Sequence, residues 1–365
     1  MTSWLTNGFI DKEFYAPFII EHDSDYYPDL LKRYTSFYEK AVAAGADQKS
    51  LKAIQKYKDK ILEAIRDYTR GNVISFHQKI KNLVKDCIDD SFAVSTINDS
   101  EAFPGVSASE IQFFRGRTSS TAIPYPKKDM LYLPKERRGL SDSYRFSIPG
   151  VPGLYLGNSS YACWIELERP SEHDFVVSPV LLDNTQRILN LAVMIRDFHG
   201  LNAFDPTRVI CWLKLMMLMM ATSYRVTESN RRFKSEYIVS QSIMLACNDL
   251  GLDGVAYYSK RVDDEIFSQA AINLALFVKY KSTKSKRSLI DDHIKLDDSF
   301  NYQIFRQLDW KKEYEYSLRC LNSGTINKIG NYNRQYEYKD THFCKFDQFL
   351  FSGWKDKDTI PFGIN

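Results

Sequence analysis

Apolar side chains in the N-terminal quarter of the chain recur at the spacing of amphipathic helices. Residues 51–68 place an apolar residue at every third or fourth position, which matches the helical period of 3.6 residues. Residues 29–43 and 72–88 follow the same period, and glycines interrupt it at Gly45 and Gly71. The pattern predicts an N-terminal module made of helices.

From about residue 109 the pattern changes to short apolar runs that alternate with helical stretches. Short runs bounded by turn residues indicate strands, and longer periodic stretches indicate helices. We expect strands at 111–114, 153–156, 175–181, 255–258 and 274–278, and helices at 161–168, 207–224 and 235–250. Gly251 follows the last of these helices, where a C-cap glycine is favoured. The mixture predicts an α+β fold with a bent mixed sheet and flanking helices.

The remainder of the chain is polar, aromatic and weakly periodic. A helix is expected over 308–321, whereas 341–365 shows no clear pattern. We therefore predict three segments along the chain. They are an all-helical module at 1–102, an α+β domain at 103–281, and a C-terminal extension at 282–365 packed on that domain.

Composition narrows the class of protein. The chain has 365 residues, of which 44% are hydrophobic, and a net charge of +3, which is not typical of a dedicated nucleic-acid binder. The most apolar run, 209–221, contains Lys214 and is too short to span a bilayer, and the N-terminus lacks the pattern of a signal peptide. The cysteines lie far apart without a C-x-x-C pair, as in reduced proteins. We expect a cytoplasmic protein.

Several common catalytic motifs are absent from the sequence. There is no G-x-x-x-x-G-K-[ST] loop, no G-x-G-x-x-G after a strand, no H-E-x-x-H pair and no G-x-S-x-G elbow. These absences argue against a P-loop hydrolase, a Rossmann dehydrogenase, a histidine-based zinc enzyme and an α/β-hydrolase. No metal site is expected.

One ordered set of polar residues stands out in the middle of the chain. Arg145 precedes a Pro/Gly turn, Tyr155 follows ten positions later in an expected strand, and Glu166 follows eleven positions after that in an expected helix. Ser259 ends a later strand. Two more arginines follow the strand at 111–114, namely Arg115 and Arg117.

This set resembles the RES family, which is named for its Arg, Glu and Ser. The resemblance covers about 109–280, and Ser147 stands where the family usually has asparagine. The positions that match in order and spacing are Arg145, Gly150, Leu154, Tyr155, Glu166, Asp253, Gly254 and Ser259. The resemblance implies a fold similar to ADP-ribosyltransferases and cleavage of NAD at its nicotinamide–ribose bond. Compact members of the family are the toxins of toxin–antitoxin pairs.

The resemblance also implies how NAD would be held. An arginine presents a planar fork that binds phosphate through two hydrogen bonds, which suits the pyrophosphate of NAD. Arg115 and Arg145 are the expected phosphate ligands, and Arg117 is a neighbour that could replace Arg115. Tyr155 can stack on the flat, cationic nicotinamide ring.

Glu166 is the residue expected to promote bond cleavage. Departure of nicotinamide leaves an oxocarbenium-like ribose, which Glu166 can stabilise, and the hydroxyl of Ser259 can bond the ribose or the nicotinamide amide. With Arg145, these residues form the expected catalytic set. One carboxylate suffices because nicotinamide leaves as a neutral ring, whereas an O-glycosidase normally needs two.

Several alternatives stay open at this stage. The acceptor of the ribosyl group can be water in a glycohydrolase, inorganic phosphate in a phosphorylase, or a protein in an ADP-ribosyltransferase. NAD is the substrate, phosphate is a candidate co-substrate, and no cofactor is implied. An inactive RES-like scaffold is the alternative from a different class, and the intact set of four residues argues against it.

A toxin or defence effector that depletes NAD would need restraint by an antitoxin, by a regulatory protein or by the N-terminal module. The apolar stripes of that module must be covered, either by the RES-like domain or by a second copy of the chain. A homo-oligomer formed through these helices is therefore one expected assembly, and a single enlarged core is the alternative.

Overall fold

The computed structural model describes most of the chain. The described residues are 4, 12–88, 93–95, 110–121, 123–183, 185–194, 206–263, 267, 271–280, 288–308, 328–331 and 333–352. The helices are α1 (Tyr26–Ala43), α2 (Gln48–Thr69), α3 (Val73–Lys85), α4 (Lys127–Met130), α5 (Ser160–Glu166), α6 (Pro206–Thr222), α7 (Ile238–Asp249), α8 (Tyr302–Gln307) and α9 (His342–Phe351). The strands are β1 (Phe18–Ile20), β2 (Val94–Ser95), β3 (Glu110–Thr118), β4 (Gly153–Gly157), β5 (Phe175–Asp183), β6 (Ile188–Leu191), β7 (Tyr224–Val226), β8 (Gly254–Tyr258), β9 (Ile272–Phe277), β10 (Ile294–Leu296), β11 (Phe300–Asn301), β12 (Lys328–Asn331) and β13 (Arg334–Glu337).

The chain forms two compact units, and each is assembled from separate stretches of sequence. The first unit contains Met1–Val94, Tyr144–Phe146 and Ile188–Lys260, and the second contains Ser95–Ser143, Ser147–Arg187 and Arg261–Asn365. These units do not follow the boundaries predicted at residues 102 and 281. The N-terminal helices cluster with residues 188–260 because their apolar faces pack on helices from that stretch.

The first unit is built around α6, whose described side chains are buried on nearly every side. A helix that is apolar all round must be covered on all faces, and α2 and α7 both pack against it. The charge at its centre is paired, since the Lys214 Nζ lies 3.1 Å from the Asp86 carboxylate and donates to the Asp86 carbonyl. The apolar stripe predicted on α2 is therefore covered within the chain.

The helix ends in the first unit follow local signals. Asp47 caps α2 by accepting hydrogen bonds from the backbone of Lys49 and Ser50. Gly45 and Gly71 interrupt the helices with positive φ, which a glycine adopts without strain. Gly251 likewise follows α7 with positive φ, which confirms its expected role at the end of that helix.

Short strands complete the first unit. β6 and β8 pair in parallel, with Asn190 opposite Ala256, and the backbone N–H of Asn190 donates to Ala93 just before β2. β1 and β7 form a separate parallel pair. The continuous burial of β6 and β8 matches their largely apolar sequence, as parallel strands covered on both faces require.

The second unit contains an antiparallel sheet. Five strands lie side by side in the order β10, β5, β3, β4 and β9, and β11 adds to the edge of β5. The longest pairing joins β3 to β5 over nine residues, from Glu110 opposite Asp183 to Thr118 opposite Phe175. β4 pairs with β9 so that Gly157 lies opposite Asn273.

One face of this sheet is covered by α5, α8 and α9 through a cluster of aromatic side chains. The Tyr302 and Phe343 rings stack with centroids 5.0 Å apart, and Phe351 packs edge-on against Phe114 of β3. α9 corrects the expectation that 341–365 lacks a pattern, because Thr341 caps a helix whose buried residues face this cluster. The helix expected over 308–321 lies outside the described residues, apart from Leu308.

The α+β class predicted from the sequence is confirmed, since antiparallel and parallel strands combine with flanking helices. The ADP-ribosyltransferase-like detail stays a prediction. Among the described residues, no helix is both long enough and apolar enough to cross a membrane. The described cysteines are all buried free thiols, namely Cys87, Cys163, Cys211, Cys247 and Cys344.

The packing of the first unit predicts the fate of a truncated chain. Deleting residues 1–94 removes the cover from α6, and each large apolar side chain that returns to water costs about 1.5–3 kcal/mol. We expect the truncated protein to be insoluble or unfolded by circular dichroism and size-exclusion chromatography. A soluble, folded truncated chain would show that the helices are a detachable module.

Point substitutions supply a matched control for that experiment. Ile61 is fully buried on α2, whereas Ile74 on α3 is 85% exposed. Ile61→Ala should lower the free energy of unfolding by about 2–5 kcal/mol, and Ile74→Ala should change it by less than about 0.5 kcal/mol. Urea titration of both variants measures the difference.

Candidate active site

The predicted site residues are divided between the two units. Arg145 and Ser259 belong to the first unit. The second unit holds Arg115, Arg117, Tyr155 and Glu166.

Glu166 is carried by α5, a helix that lies unusually close to the sheet. Ser159 starts the helix by accepting a hydrogen bond from the Ala162 backbone at 2.9 Å. A Cβ atom on Gly116 would lie 2.8 Å from the Cβ of Cys163, and one on Gly157 would lie 2.9 Å from the Cβ of Ala162. Glycine at these two strand positions therefore permits the approach of the helix.

The helix ends at Glu166, two residues before the predicted end. Glu168 and Arg169 both adopt positive φ, at 64° and 58°, and the Arg169 backbone N–H bonds back to the Trp164 carbonyl. Non-glycine residues pay about 1 kcal/mol or more for this conformation. Arg261 holds the turn, because it donates to the Glu168 carboxylate at 2.9 Å and its carbonyl accepts from Arg169.

The Glu166 carboxylate is oriented and still reachable. Its Oε1 accepts a hydrogen bond of 2.8 Å from the Asn273 side-chain amide, and its Oε2 lies 3.7 Å from the Nε of Arg261. The side chain is 32% exposed, whereas Asn273 is buried. A carboxylate held by a buried amide beside a guanidinium has a fixed direction, which preorganised electrostatic catalysis requires.

Sequence reasoning missed Asn273 as a site residue. It is the single polar residue of β9, within the run Ile-Asn-Leu-Ala-Leu-Phe. A buried amide in an otherwise apolar strand needs hydrogen-bond partners. The asparagine within this apolar run was therefore the sequence signal that could have identified Asn273. The register of β4 and β9 places Asn273 opposite Gly157, which leaves room for its side chain to meet Glu166.

Tyr155 lies on the same face of the sheet as Asn273. Residues two apart on a strand share a face, so Tyr155 faces the side on which Gly157 meets α5. Tyr155 pairs with Ala275 and is a diagonal neighbour of Asn273, at a typical separation of about 7–8 Å. Its half-buried ring is fixed by a short hydrogen bond between its hydroxyl and that of Ser147. Ser147 thus has a definite structural role at the position where the RES family usually has asparagine.

Arg115 and Arg117 lie on the opposite face. Phe114 pairs with Gly157, and strand alternation turns the two arginines away from that face. Arg115 donates to the carbonyls of Met130 and Tyr155 at 3.1 and 2.8 Å, and Arg117 donates to the Leu131 carbonyl at 2.9 Å. Both guanidinium groups therefore fasten the backbone around residues 130–131 to β3.

In the first unit, Arg145 is buried and bonded to protein atoms. Its guanidinium donates to the Tyr258 carbonyl at 2.9 Å and to the Ser223 hydroxyl at 3.0 Å, and it lies 4.6 Å from the ring centroid of Tyr257. Ser259, directly after β8, is also buried. The fold thus brings Arg145 to the strand end that carries Ser259.

Two further observations limit the chemistry of the second unit. Cys163 lies within α5, but burial raises the pKa of its thiol to about 12, so it is not a thiolate nucleophile at neutral pH. Among the described residues, no three His, Cys, Asp or Glu side chains are grouped so as to hold a metal ion.

The closeness of α5 to the sheet can be tested at Gly157. Gly157→Ala places a methyl group 2.9 Å from the Cβ of Ala162 and 3.1 Å from the Sγ of Cys163. Overpacking of this kind costs about 1–3 kcal/mol, so we expect a lower midpoint in urea unfolding. Gly139→Ala is the matched control, because no heavy atom lies within 4 Å of its new methyl group. Equal urea midpoints for the two variants would show that α5 can move away from the sheet without loss of stability.

The role of Arg145 can be tested with lysine. Arg145→Lys keeps the charge but cannot reach both the Tyr258 carbonyl and the Ser223 hydroxyl, and an unmet buried partner costs about 1–3 kcal/mol. We expect a loss of stability of that size in thermal or urea unfolding. Unchanged stability combined with weaker NAD binding would instead assign the guanidinium to the substrate.

Part of the chain is similar in sequence to a known bacterial protein. The chain is 28% identical over 262 residues to a protein of Bacillus subtilis (strain 168) named "Putative toxin YopC", and the matched region covers 66% of this chain and 56% of that protein. The chain thus spans little more than half the length of this relative. No protein-family model matches the chain, and no solved structure matches it.

Proposed function

We propose that this protein cleaves NAD at the bond between nicotinamide and ribose. The observation that carries the proposal is the Glu166 carboxylate, which is one-third exposed and held at 2.8 Å by the buried amide of Asn273. As nicotinamide departs, positive charge develops on the ribose, and a prealigned carboxylate stabilises it without reorganising. The order and spacing of Arg145, Tyr155, Glu166 and Ser259 match the RES family, which supports the same reaction.

Tyr155 is the residue proposed to hold the nicotinamide ring. Its ring shares a sheet face with Asn273, and the hydrogen bond to Ser147 fixes its plane. A fixed aromatic face attracts the cationic nicotinamide ring of NAD and loses that attraction when nicotinamide leaves as a neutral molecule. Tyr155 therefore favours binding of the substrate over retention of the product.

The cations proposed for the pyrophosphate are Arg115, Arg117 and Arg145. Each donates to neutral protein oxygens in the structure. A phosphate oxygen carries negative charge and accepts a stronger hydrogen bond than a carbonyl. Arg115 and Arg117 lie on the sheet face opposite Tyr155, and Arg145 is buried, so their contact with the pyrophosphate of NAD stays a prediction. Ser259 remains the proposed hydroxyl partner of the ribose or of the nicotinamide amide.

We further propose that NAD loss makes the protein a toxin. The relative from Bacillus subtilis is itself named a putative toxin, which supports this role. Depletion of NAD would harm the cell that makes the enzyme, so an antitoxin or another inhibitory protein would have to bind it. Transfer of ADP-ribose to a protein target is the alternative outcome of the same bond cleavage.

The experiment is incubation of the purified protein with NAD, with and without inorganic phosphate. Release of nicotinamide, measured by chromatography, would support the proposal. ADP-ribose as co-product identifies water as the acceptor, and ADP-ribose 1-phosphate identifies phosphate. NAD labelled in its adenylate half would mark a protein target by mass spectrometry. Intact NAD in every arm would mean that the domain is an inactive scaffold.

The catalytic role proposed for Glu166 can be tested against a nearby carboxylate, Glu168, which lies two residues later in the chain. Glu166→Gln should lower the rate of NAD cleavage by about 100-fold, because removal of one preorganised group has effects of that size. Glu168→Gln changes a 72% exposed side chain and keeps an acceptor oxygen for Arg261, so it should keep most of the activity. The opposite result would move the catalytic role to Glu168. Circular dichroism of both variants checks the fold.

A further inference from the structure

α9 carries a buried carboxylate that ends at the helix bearing Glu166. The Asp347 side chain is completely buried, and its Oδ1 accepts a hydrogen bond of 3.0 Å from the backbone N–H of Ser160. Its Oδ2 accepts a short hydrogen bond from the hydroxyl of Tyr338. Ser160 is the first residue of α5 and Glu166 is the last. One side chain therefore joins the C-terminal part of the protein to the candidate site.

The charge on Asp347 affects how firmly it holds α5. An ionised carboxylate accepts a stronger hydrogen bond than a neutral carboxyl, and a negative charge is also favoured at a helix N-terminus. Burial raises the pKa of Asp347 to about 7, although the hydrogen bonds from Ser160 and Tyr338 act in the opposite direction. The hold on α5 therefore strengthens as the pH rises through neutrality.

The cysteines and tyrosines around Asp347 do not change charge in this range, and burial lowers the pKa of His342 on α9 below its usual value. Burial raises the pKa of Cys163 on α5, Cys344 on α9 and Tyr302 on α8 to about 12, and that of Tyr338 well above its usual value. Burial also raises the pKa of Tyr161 on α5, and β5 adds apolar side chains.

Asp347 is linked to Glu166 by α5, a helix of only seven residues that begins at Ser160 and ends at Glu166. Gly116 and Gly157 let this helix press on the sheet, and Arg261 holds the turn behind its last residue. A helix fixed along its length transmits a displacement of its first turn to its last. We propose that Asp347 is a positioning residue that sets the placement of Glu166 by anchoring the first turn of α5. This inference rests on the proposed function, because Glu166 is the group whose reaction reports it.

The test compares Asp347→Asn with the wild-type protein across pH 5.5–9. Asparagine keeps an acceptor for Ser160 and a donor for Tyr338 but cannot ionise. In the wild type, kcat for NAD cleavage should rise through about pH 7 as Asp347 ionises. Asp347→Asn should lack this step and be roughly three- to tenfold slower at pH 8, with KM for NAD nearly unchanged, since a small misplacement of a catalytic group lowers kcat.

A second buried carboxylate provides the control. Asp291 also accepts hydrogen bonds from a tyrosine hydroxyl, that of Tyr132, and from a backbone N–H, that of Ser288. Asp291→Asn should keep the wild-type pH profile. If Asp347→Asn has the same kcat and pH profile as the wild type and as Asp291→Asn, the positioning role is wrong.

Tyr338→Phe covers the case in which Asp347→Asn does not fold. It removes one hydrogen bond that lowers the pKa of Asp347, so the midpoint of the pH profile should move to higher pH. A midpoint that stays in place or moves to lower pH would overturn the proposal.

A readout that does not depend on activity separates the two proposals. Trp164 lies within α5, and its ring is 5.4 Å from that of Phe343 on α9. With 5-fluorotryptophan, its fluorine resonance, assigned by its loss in Trp164→Phe, should shift with a midpoint near pH 7 in the wild type and not in Asp347→Asn. If the wild type leaves NAD intact, the proposed function fails, and this titration still decides whether Asp347 controls α5. A resonance that does not titrate in the wild type, or titrates equally in Asp347→Asn, overturns the inference.

Discussion

The close contact between α5 and the sheet is the constraint on which the candidate site depends. Two glycines on neighbouring strands, Gly116 and Gly157, leave no Cβ between the helix and the backbone beneath it. Because the helix lies so low, its last residue meets the amide of Asn273 on β9, and its first residue meets Asp347. A side chain at either glycine would lift the helix and separate both pairs.

The C-terminal stretch belongs to this arrangement as fully as the central one does. Tyr302, Phe343 and Phe351 form part of the same buried cluster as Phe114 of β3. Burial of so many rings stabilises the second unit, and it also explains the raised pKa of Asp347, since the carboxylate lies among them. The aromatic side chains that form this core thus also surround Asp347, the residue proposed to position Glu166.

Much of the fold could be predicted from the sequence, because periodicity reports burial directly. The helices at 26–69 and the strands around Tyr155 and Ser259 lie where the apolar pattern predicted them. α9 was missed because its apolar residues are mixed with polar ones near the chain end. The early end of α5 was missed because Glu168 and Arg169 adopt positive φ without glycine, held by Arg261 from a distant stretch.

The candidate site was harder to predict than the fold. The sequence supplied Glu166 and Tyr155 as candidates, whereas strand register and tertiary packing bring Asn273 to Glu166 and Asp347 to Ser160. The sequence also could not show which side chains share a face of the sheet. Placing Arg115 on the face opposite Tyr155 requires the pairing of Phe114 with Gly157. The place of these residues in NAD cleavage stays a prediction.

The assembly of the first unit from distant stretches has a consequence for synthesis. The apolar stripe of α2 leaves the ribosome well before α6, which covers part of it, and at about 5–20 residues per second the delay is roughly eight to thirty seconds. During that time the part of the stripe that α1 and α3 do not cover is open to chaperones and to any protein that recognises nascent chains. The unit closes only once residue 260 has emerged, so a chain released early has no folded first unit, and the ribosome itself sets the earliest moment at which that unit is complete.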